Sequence, residues 1–108
     1  MDTVGFKDFE KLEIRIGKVL AAEKVAGADK LLKLEVDFGA EKRQVISGIA
    51  EFYKPETLIG KESTFIMNME QKVIKGLESQ GMLMAVDVDG KCVLLSPDKE
   101  VPEGSVIK

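Results

Sequence analysis

Alternating apolar and polar residues predict a protein built mainly from short β-strands. The clearest case is LLKLEVDF, residues 31–38, in which Leu32 begins a run where every second residue is apolar. A period of two gives a strand one buried face and one wet face. The preceding segment IRIGKVLAAEKV, residues 14–25, is rich in β-branched residues and contains Gly17. We therefore predict a long strand that bends, as barrel strands do at corners.

Further strands are predicted along the rest of the chain. The segments with strand character are 42–47, 63–69, 81–88 and 91–96. Asp89-Gly90 joins the last two and is the strongest hairpin signal present. Between Ile49 and Leu58 the apolar residues have helical spacing that is interrupted at Pro55. This pattern predicts a short helix or a single turn in the middle of the chain.

This order of elements predicts an all-β fold. The OB-fold, a five-stranded Greek-key barrel with a helix between its third and fourth strands, fits the number and order of the predicted segments. A small β-sandwich is the alternative, because pattern alone does not separate the two architectures. Glycines recur at short intervals, and no repeat, low-complexity tract or linker interrupts the chain. We therefore expect residues 1–108 to form a single domain.

Composition narrows the possible chemistry. The 108 residues are 44% apolar and 32% charged, and they include one cysteine and no histidine. Catalytic triads, Cys-His dyads and histidine-ligated metal sites are therefore excluded. We expect no enzymatic activity, no metal and no cofactor. The lone Cys92 and the lack of a long apolar run favour a reducing, cytoplasmic location without a membrane span.

The polar stretch from residue 68 to residue 82 lies between two apolar strands and is the first candidate binding site. Asn68, Gln71, Ser79 and Gln80 supply hydrogen-bonding groups, and Lys72 and Lys75 supply positive charge. On an OB barrel the loop between the last two strands borders the usual oligonucleotide groove. The sequence therefore predicts contacts to bases, ribose and phosphates. The alternative is a solvated loop.

A second candidate site is basic. Lys30, Lys33 and Arg43 lie on segments that are expected to be neighbours across a hairpin, so they are candidates for one basic patch. Acidic residues at positions 35, 37 and 41 are close in sequence. The alternative interpretation is that these carboxylates neutralise the basic side chains in ion pairs.

Four methionines occur in pairs two residues apart: Met67 with Met69, and Met82 with Met84. Within a strand each pair would share a face, and we interpret them as core-filling residues. An exposed, adaptable binding surface is the alternative. The aromatic residues Phe38, Phe52, Tyr53 and Phe65 are assigned to the core by the same reasoning.

Several segments together resemble a known family. They are LEIRIGKV at 12–19, ADKLLKLEVDFG at 28–39, KRQVISGIAEFYKP at 42–55, LIGK at 58–61, LESQGMLMA at 77–85 and LLSPDKEVPEG at 94–104. This set resembles the tRNA-binding domain found at the C-terminus of many methionyl-tRNA synthetases and in free-standing tRNA-binding proteins. The resemblance implies an OB barrel with an N-terminal segment and a C-terminal extension, commonly a homodimer through those additions.

The resemblance also implies a function and a site. It implies a non-catalytic module that binds tRNA by shape, delivers or retains it for aminoacylation, and has an aminoacyl-tRNA synthetase as a possible partner. The implied groove residues are Lys30, Lys33, Arg43, Ser47, Asn68, Ser79, Gln80 and Met82, with Lys72 and Lys75 nearby. Where the family usually has lysine and proline after the asparagine, this chain has Glu70 and Gln71.

A related family is the alternative. The opening FEKLEIRIG and the closing VLLSPDKEVPEG also resemble the CsaA type of protein-export chaperone, a homodimer that binds unfolded polypeptide. ADKLLKL and ESQGM favour the tRNA-binding branch. These two resemblances imply different ligands for the same barrel.

The distribution of charge bears on the choice of ligand. The net charge of -3 arises entirely after Lys75, where three basic residues face six acidic ones. Residues 1–27 carry five of each sign and residues 28–75 carry eight of each. Because the predicted groove strands are neutral overall, we expect tRNA binding to be weak, sensitive to salt and dependent on dimerisation.

Overall fold

The computed structural model describes residues 1–108 and consists mainly of antiparallel β-strands. The elements are α1 (Phe6–Glu10), β1 (Ile14–Val25), β2 (Ala28–Asp37), β3 (Lys42–Ser47), α2 (Pro55–Leu58), β4 (Glu62–Ile66), β5 (Lys72–Ile74), β6 (Leu77–Ser79), β7 (Met82–Leu83), β8 (Ala85–Val88) and β9 (Lys91–Leu94). Five strands form one sheet in the order β3-β2-β1-β4-β7, and β5-β6 and β8-β9 form separate hairpins. Neither helix has the length and apolar character needed to span a bilayer.

Hydrogen bonds between β3 and the segment before β7 close the sheet into a barrel. The backbone amide of Gln80 donates to the carbonyl of Gln44 over 2.8 Å. In return, the Gln44 amide donates to Oε1 of Gln80 over 2.9 Å, and the Ile46 amide donates to Oγ of Ser79 over 3.0 Å. Both ends of the five-stranded sheet thereby meet. The all-β OB-fold prediction is confirmed, with α2 between β3 and β4.

The barrel core is built from the inward faces of the long strands. On β2, Leu32, Leu34 and Val36 are almost completely buried. The rings of Phe38 and Phe65 meet edge to face with centroids 5.3 Å apart. This geometry is favourable for aromatic quadrupoles and adds to the free energy gained by burying apolar area.

Gly17 allows β1 to pass close to the core residues Val36 and Phe38. A Cβ atom at this position would lie 2.5 Å from Cγ1 of Val36 and 2.6 Å from Cε1 of Phe38. These distances are far inside van der Waals contact, so a side chain there would push two core residues apart. The predicted long strand through residues 14–25 is confirmed, and packing explains its glycine.

The helical spacing from Ile49 onward predicted a short helix or a single turn, and the single-turn alternative is confirmed. The helix α2 itself begins only at Pro55. Proline suits the first turn of a helix because its missing N–H would have no intrahelical acceptor there. The preceding residues form a single turn in which the amides of Phe52 and Tyr53 each donate to the Ile49 carbonyl over 3.0 Å.

Met67 and Met69 do not share a face as predicted. Met67 is buried, whereas Met69 is 48% exposed and Met82 is 43% exposed. The reason is that β4 ends at Ile66, so the two-residue period does not continue to Met69. The predicted strand over 81–88 is likewise divided into β7 and β8. The core-filling prediction is right for Met67 and wrong for Met69 and Met82. It is also wrong for Phe52, which is 38% exposed.

In both β-hairpins outside the barrel sheet, the two turn residues have a left-handed backbone conformation. Asp89 and Gly90 have φ angles of 51° and 81°, which confirms the predicted hairpin. Lys75 and Gly76 have φ angles of 51° and 77°, and they join β5 to β6 in a hairpin that the sequence prediction missed. Two consecutive positive φ values match the twist of the strands that flank a tight turn.

The C-terminal extension lies along the first half of β1. Ile16 receives a hydrogen bond from the Gly104 amide at 2.7 Å and donates one to the Ser105 carbonyl at 2.9 Å. The Ile107 amide donates to the Ile14 carbonyl over 2.9 Å. Further along the barrel, the Val101 amide donates to Oε1 of Glu62 over 3.0 Å. The tail is therefore bound to β1 and β4 at several points.

An ion pair also holds the tail, and it predicts a pH dependence. Nζ of Lys18 lies 3.1 Å from the Glu103 carboxylate and 3.7 Å from that of Glu100. The hydrogen bond to Glu103 raises the pKa of Lys18 above its usual 10.5. A backbone hydrogen bond, and next the hydrogen bond from Lys18, lower the pKa of Glu103 below its usual 4.5.

We expect this ion pair to stabilise the fold between these two pKa values. Its contribution is lost below pH 4.5, as Glu103 is protonated, and above pH 10.5, as Lys18 loses its proton. Urea unfolding from pH 3 to pH 11 should therefore show Lys18→Met differing most from the native chain in the middle of this range. A constant difference between the two proteins at all pH values would contradict the assignment.

Candidate nucleic-acid interface

A groove of about 520 Å³ opens between β3 and the segments on either side of the β5-β6 hairpin. Its lining residues are Ile46, Ser47, Gly48, Asn68, Met69, Glu70, Lys72, Ile74, Ser79, Gly81, Met82 and Leu83. Half of the ten predicted site residues are among them: Ser47, Asn68, Lys72, Ser79 and Met82. The fold thus brings the predicted polar stretch onto one concave surface with the end of β3.

Asn68 lies at the groove but uses its amide group internally. Its Oδ1 accepts a hydrogen bond from the Glu13 amide at 2.8 Å, and its Nδ2 donates to the Lys11 carbonyl at 2.6 Å. The Met67 amide adds a hydrogen bond to the Glu13 carbonyl at 2.7 Å. Asn68 therefore fixes the start of β1 to the end of β4 and thereby shapes one wall of the groove.

Ser79 and Gln80 are also engaged within the protein. Ser79 is buried, and its Oγ accepts from the Ile46 amide and donates to the Gly81 carbonyl, each over 3.0 Å. The Gln80 side chain accepts from the Gln44 amide. Both side chains close the barrel. They therefore position the segments around the groove and are not free to contact a ligand through these groups.

Lys33 and Arg43 do not share a face, so the predicted three-residue basic patch is wrong. Arg43 pairs with Val36 and Lys33 pairs with Ile46 in the β2-β3 register. Because paired residues share a face and successive residues alternate, Lys33 and Arg43 lie on opposite faces. Lys30 lies before the first paired position of that ladder.

The ion-pair interpretation is confirmed for Arg43, which pairs with the predicted Glu41. Lys33 also forms an ion pair, but its partner is Glu23, at 2.7 Å from Nζ of Lys33, and not one of the predicted carboxylates. Nη1 of Arg43 also donates to the carbonyls of Met67 and Gln80, at 2.7 and 2.9 Å. The Arg43 guanidinium thus connects β3 to the ends of two neighbouring segments.

Three of the predicted lysines remain available to a ligand. Lys30, Lys72 and Lys75 are exposed, and none of them takes part in an ion pair. Lys72 lines the groove, and Lys75 lies at the tip of the β5-β6 hairpin. These lysines can approach phosphates without first breaking an internal contact.

Apolar groove residues were missed by the sequence prediction. Ile46, Met69, Ile74 and Leu83 line the groove beside Met82. The alternating pattern of β3 gave no reason to place Ile46 at a site, and Ile74 lies in the hairpin that was not predicted. The exposed-methionine alternative held the only available signal for this surface.

The groove is close to electrically neutral, since Lys72 and Glu70 are the charged residues in its lining. No group of three or more cysteine, aspartate or glutamate side chains is placed to hold a metal ion. The arrangement therefore offers apolar contact, the free hydroxyl of Ser47 and two side chains of opposite charge. This chemistry suits reversible binding of a ligand that has both apolar faces and polar edges.

A five-stranded barrel with a groove beside the loop region that precedes its last strand defines an OB-type binding domain. Residues 14–106 match the family described as "Putative tRNA binding domain". The chain belongs to this tRNA-binding domain family, and the family resemblance noted in the sequence is confirmed.

Curated relatives place the chain in the context of methionyl-tRNA synthetases. It is 51% identical over 105 residues to a methionine–tRNA ligase of Methanothrix thermoacetophila and 50% identical over 104 residues to that of Archaeoglobus fulgidus. These alignments cover 97% and 96% of this chain but 16% of each ligase. The chain is thus a tRNA-binding domain homologous to one portion of a much longer enzyme.

Solved structures with the same fold include members of both families that the sequence resembles. A MetRS-related protein from Pyrococcus horikoshii has a TM-score of 0.95 and 39% identity, with all of both chains covered. The chaperone CsaA of Bacillus anthracis has a TM-score of 0.90 and 34% identity, covering 99% of this chain and all of that one. The match to the tRNA-binding family and to the ligases favours the tRNA-binding interpretation over the chaperone.

Proposed function

We propose that residues 1–108 form a single, non-catalytic domain that retains or delivers tRNA for aminoacylation by a methionyl-tRNA synthetase in the cytoplasm. The family match over residues 14–106, together with its methionine–tRNA ligase relatives, is the observation that carries this proposal. The groove supports it, because the exposed Lys72 lines a concave surface and the exposed Lys75 lies at the tip of the hairpin that contains Lys72. The chain also contains no histidine for acid–base chemistry near neutral pH.

In this proposal the three lysines without ion pairs contact phosphates, and the groove accepts bases or ribose. Phosphate contacts position an RNA without reading its sequence. The bend of a folded tRNA presents phosphates and 2′-hydroxyls from several directions, which suits recognition by shape. Lys33 and Arg43 remain predicted contacts, but their ion pairs must open before they reach a phosphate.

Lys30→Met should weaken binding of unfractionated tRNA and flatten its dependence on salt. Removing one phosphate contact lowers the slope of log K against log salt by about 0.7–0.9. The matched control is Lys33→Met, which removes the same charge from a side chain already paired with Glu23. Gel-shift titrations between 25 and 200 mM salt measure both quantities.

Two results would overturn this part of the proposal. If the native chain shifts no tRNA even at the lowest salt, the proposed function is wrong. If it binds tRNA but Lys30→Met and Lys33→Met change the slope equally, the distinction between free and paired lysines is wrong.

We also propose that the domain is a homodimer. The inner face of the β8-β9 hairpin packs Cys92 and Leu94 against the barrel core. Its outer face carries Val86 directly opposite Val93, and these side chains are 43% and 47% exposed. A two-stranded hairpin with one buried face normally has a polar outer face. A second copy of the chain would cover this apolar surface.

The N-terminal segment provides a second apolar surface that a partner copy would cover. Val4, Phe6 and Leu12 are 73%, 70% and 42% exposed, and the α1 helix that follows Gly5 buries none of its residues. Exposed apolar groups of this size are characteristic of protein–protein contacts. Two linked tRNA-binding surfaces would raise the overall affinity through avidity.

The chaperone function is a second candidate because the CsaA structure has a TM-score of 0.90 to this chain. If the groove binds unfolded polypeptide, the native chain should suppress aggregation of a denatured client protein. That suppression should persist when tRNA is added in excess. Suppression that disappears on addition of tRNA instead supports one shared surface whose preferred ligand is tRNA.

A further inference from the structure

The groove has walls suited to a flat, mostly apolar ligand. Met69 and Met82 are nearly half exposed beside Ile46, Ile74 and Leu83. Its volume of about 520 Å³ is within the range of about 300–1,000 Å³ that is typical of small-molecule pockets. Flexible thioether side chains adapt to aromatic rings and make favourable sulfur–ring contacts.

The charge of the groove does not suit a run of phosphates. Glu70 lies in the lining together with Lys72, so the two formal charges offset each other. The exposed Lys75, at the hairpin tip, is outside the lining. A phosphate backbone would therefore be attracted to Lys75 outside the lining, while the interior of the groove remains free for a neutral group.

The polar side chains of the groove separate into those that hold its shape and those that can meet a ligand. Asn68 and Ser79 each use one donor and one acceptor in hydrogen bonds within the protein. Ser47 lines the groove and makes no side-chain hydrogen bond. One free hydroxyl thus lies among the apolar walls and is able to bond to the edge of a ring.

We propose that this groove holds one unpaired nucleobase of the bound RNA, which inserts between the methionine side chains and hydrogen-bonds to Ser47. This inference rests on the proposed tRNA-binding function and specifies what its groove accepts. A nucleobase has two apolar faces and a polar edge, and only unpaired bases can leave the stack to enter a protein groove. Duplex RNA would offer phosphates to the lysines and leave the groove empty.

Gly48 provides a way to fill the groove without disturbing the fold. It lines the groove, its φ is not in the left-handed region, and a Cβ atom there would meet no atom within 4 Å. Gly48→Phe should keep the thermal midpoint of the native chain and weaken tRNA binding at least tenfold. Val73→Phe is the matched control, since Val73 is 72% exposed and absent from the groove lining, and it should bind tRNA within about twofold of the native chain.

A competition experiment identifies the chemical class of the occupant. A single-stranded RNA hexamer should displace tRNA from the native chain, and it should do so better than a blunt RNA duplex with the same number of phosphates. The hexamer should lose this advantage with Gly48→Phe. The salt slope of tRNA binding should be the same for Gly48→Phe and the native chain, because no charge is removed.

These measurements distinguish failure of the inference from failure of the proposed function. If the native chain binds tRNA but Gly48→Phe binds it equally well, the groove does not hold a base while the tRNA-binding function stands. If the hexamer and the duplex displace tRNA equally well, the protein contacts RNA through its phosphates alone and the groove does not hold a base. If Gly48→Phe keeps tRNA binding but loses binding of a denatured client protein, the occupant of the groove is a polypeptide and the inference is wrong.

Discussion

Gly104→Ala is expected to lower the free energy of unfolding by about 2–5 kcal/mol, since it adds left-handed backbone strain to a steric clash. Gly104 has a φ of 88°, and a Cβ atom there would overlap the carbonyl oxygen of Phe38. The backbone cannot easily move away, because the Gly104 amide donates to Ile16 at 2.7 Å and its carbonyl accepts from Arg15 at 2.6 Å. Opposite it, a Cβ at Gly39 would lie 2.6 Å from the Glu103 carbonyl oxygen.

Gly60→Ala is the matched control for this prediction. Gly60 has a φ of 85°, almost equal to that of Gly104, but a Cβ atom there would meet nothing within 4 Å. Gly60→Ala should lower the free energy of unfolding by the cost of left-handed backbone strain alone, about 1–2 kcal/mol. Urea unfolding followed by circular dichroism measures both variants. Equal losses for the two would show that the close approach of the tail to Phe38 contributes nothing to stability.

The fold could be predicted because its signals are local. The alternation along residues 31–38 defines a strand from side chains alone, and Asp89-Gly90 defines a turn from backbone preference alone. The β5-β6 hairpin was missed because Lys75 occupies the first turn position, where asparagine or aspartate gives the usual signal. Left-handed lysine is tolerated there because Gly76 and the strand pairing maintain the turn.

The error over Lys33 and Arg43 has a different physical cause. The short turn at Gly39-Ala40 pairs Asp37 with Lys42. Odd-numbered residues of β2 are therefore paired with even-numbered residues of β3. This register, which the length of the turn sets, puts Lys33 and Arg43 on opposite faces.

The candidate site was only partly predictable because its walls come from segments far apart in sequence. Ile46 and Met82 meet only after the barrel closes through Ser79 and Gln80. Asn68 and Ser79 carry groups that can bind RNA, and whether the protein itself uses those groups depends on tertiary contacts. Residue type thus indicated the correct region, while the division between ligand contacts and structural contacts needed the folded chain.

The second large effect is expected from the double variant Val86→Lys with Val93→Lys. These two valines face each other on the outer face of the β8-β9 hairpin, so four lysines would meet in a dimer that buries this face. Desolvating and opposing such charges is costly enough to separate the subunits. Sedimentation at micromolar concentration should show a dimer for the native chain and a monomer for the variant.

Loss of the dimer should also weaken tRNA binding at least about tenfold, because avidity between two sites is lost. The added lysines would by themselves favour RNA, so a loss cannot be attributed to charge. Val73→Lys is the control: Val73 is 72% exposed on the other hairpin and is absent from the groove lining. It should remain dimeric and bind tRNA at least as tightly as the native chain. A monomeric native chain, or a monomeric double variant with undiminished affinity, would refute the link between dimerisation and binding.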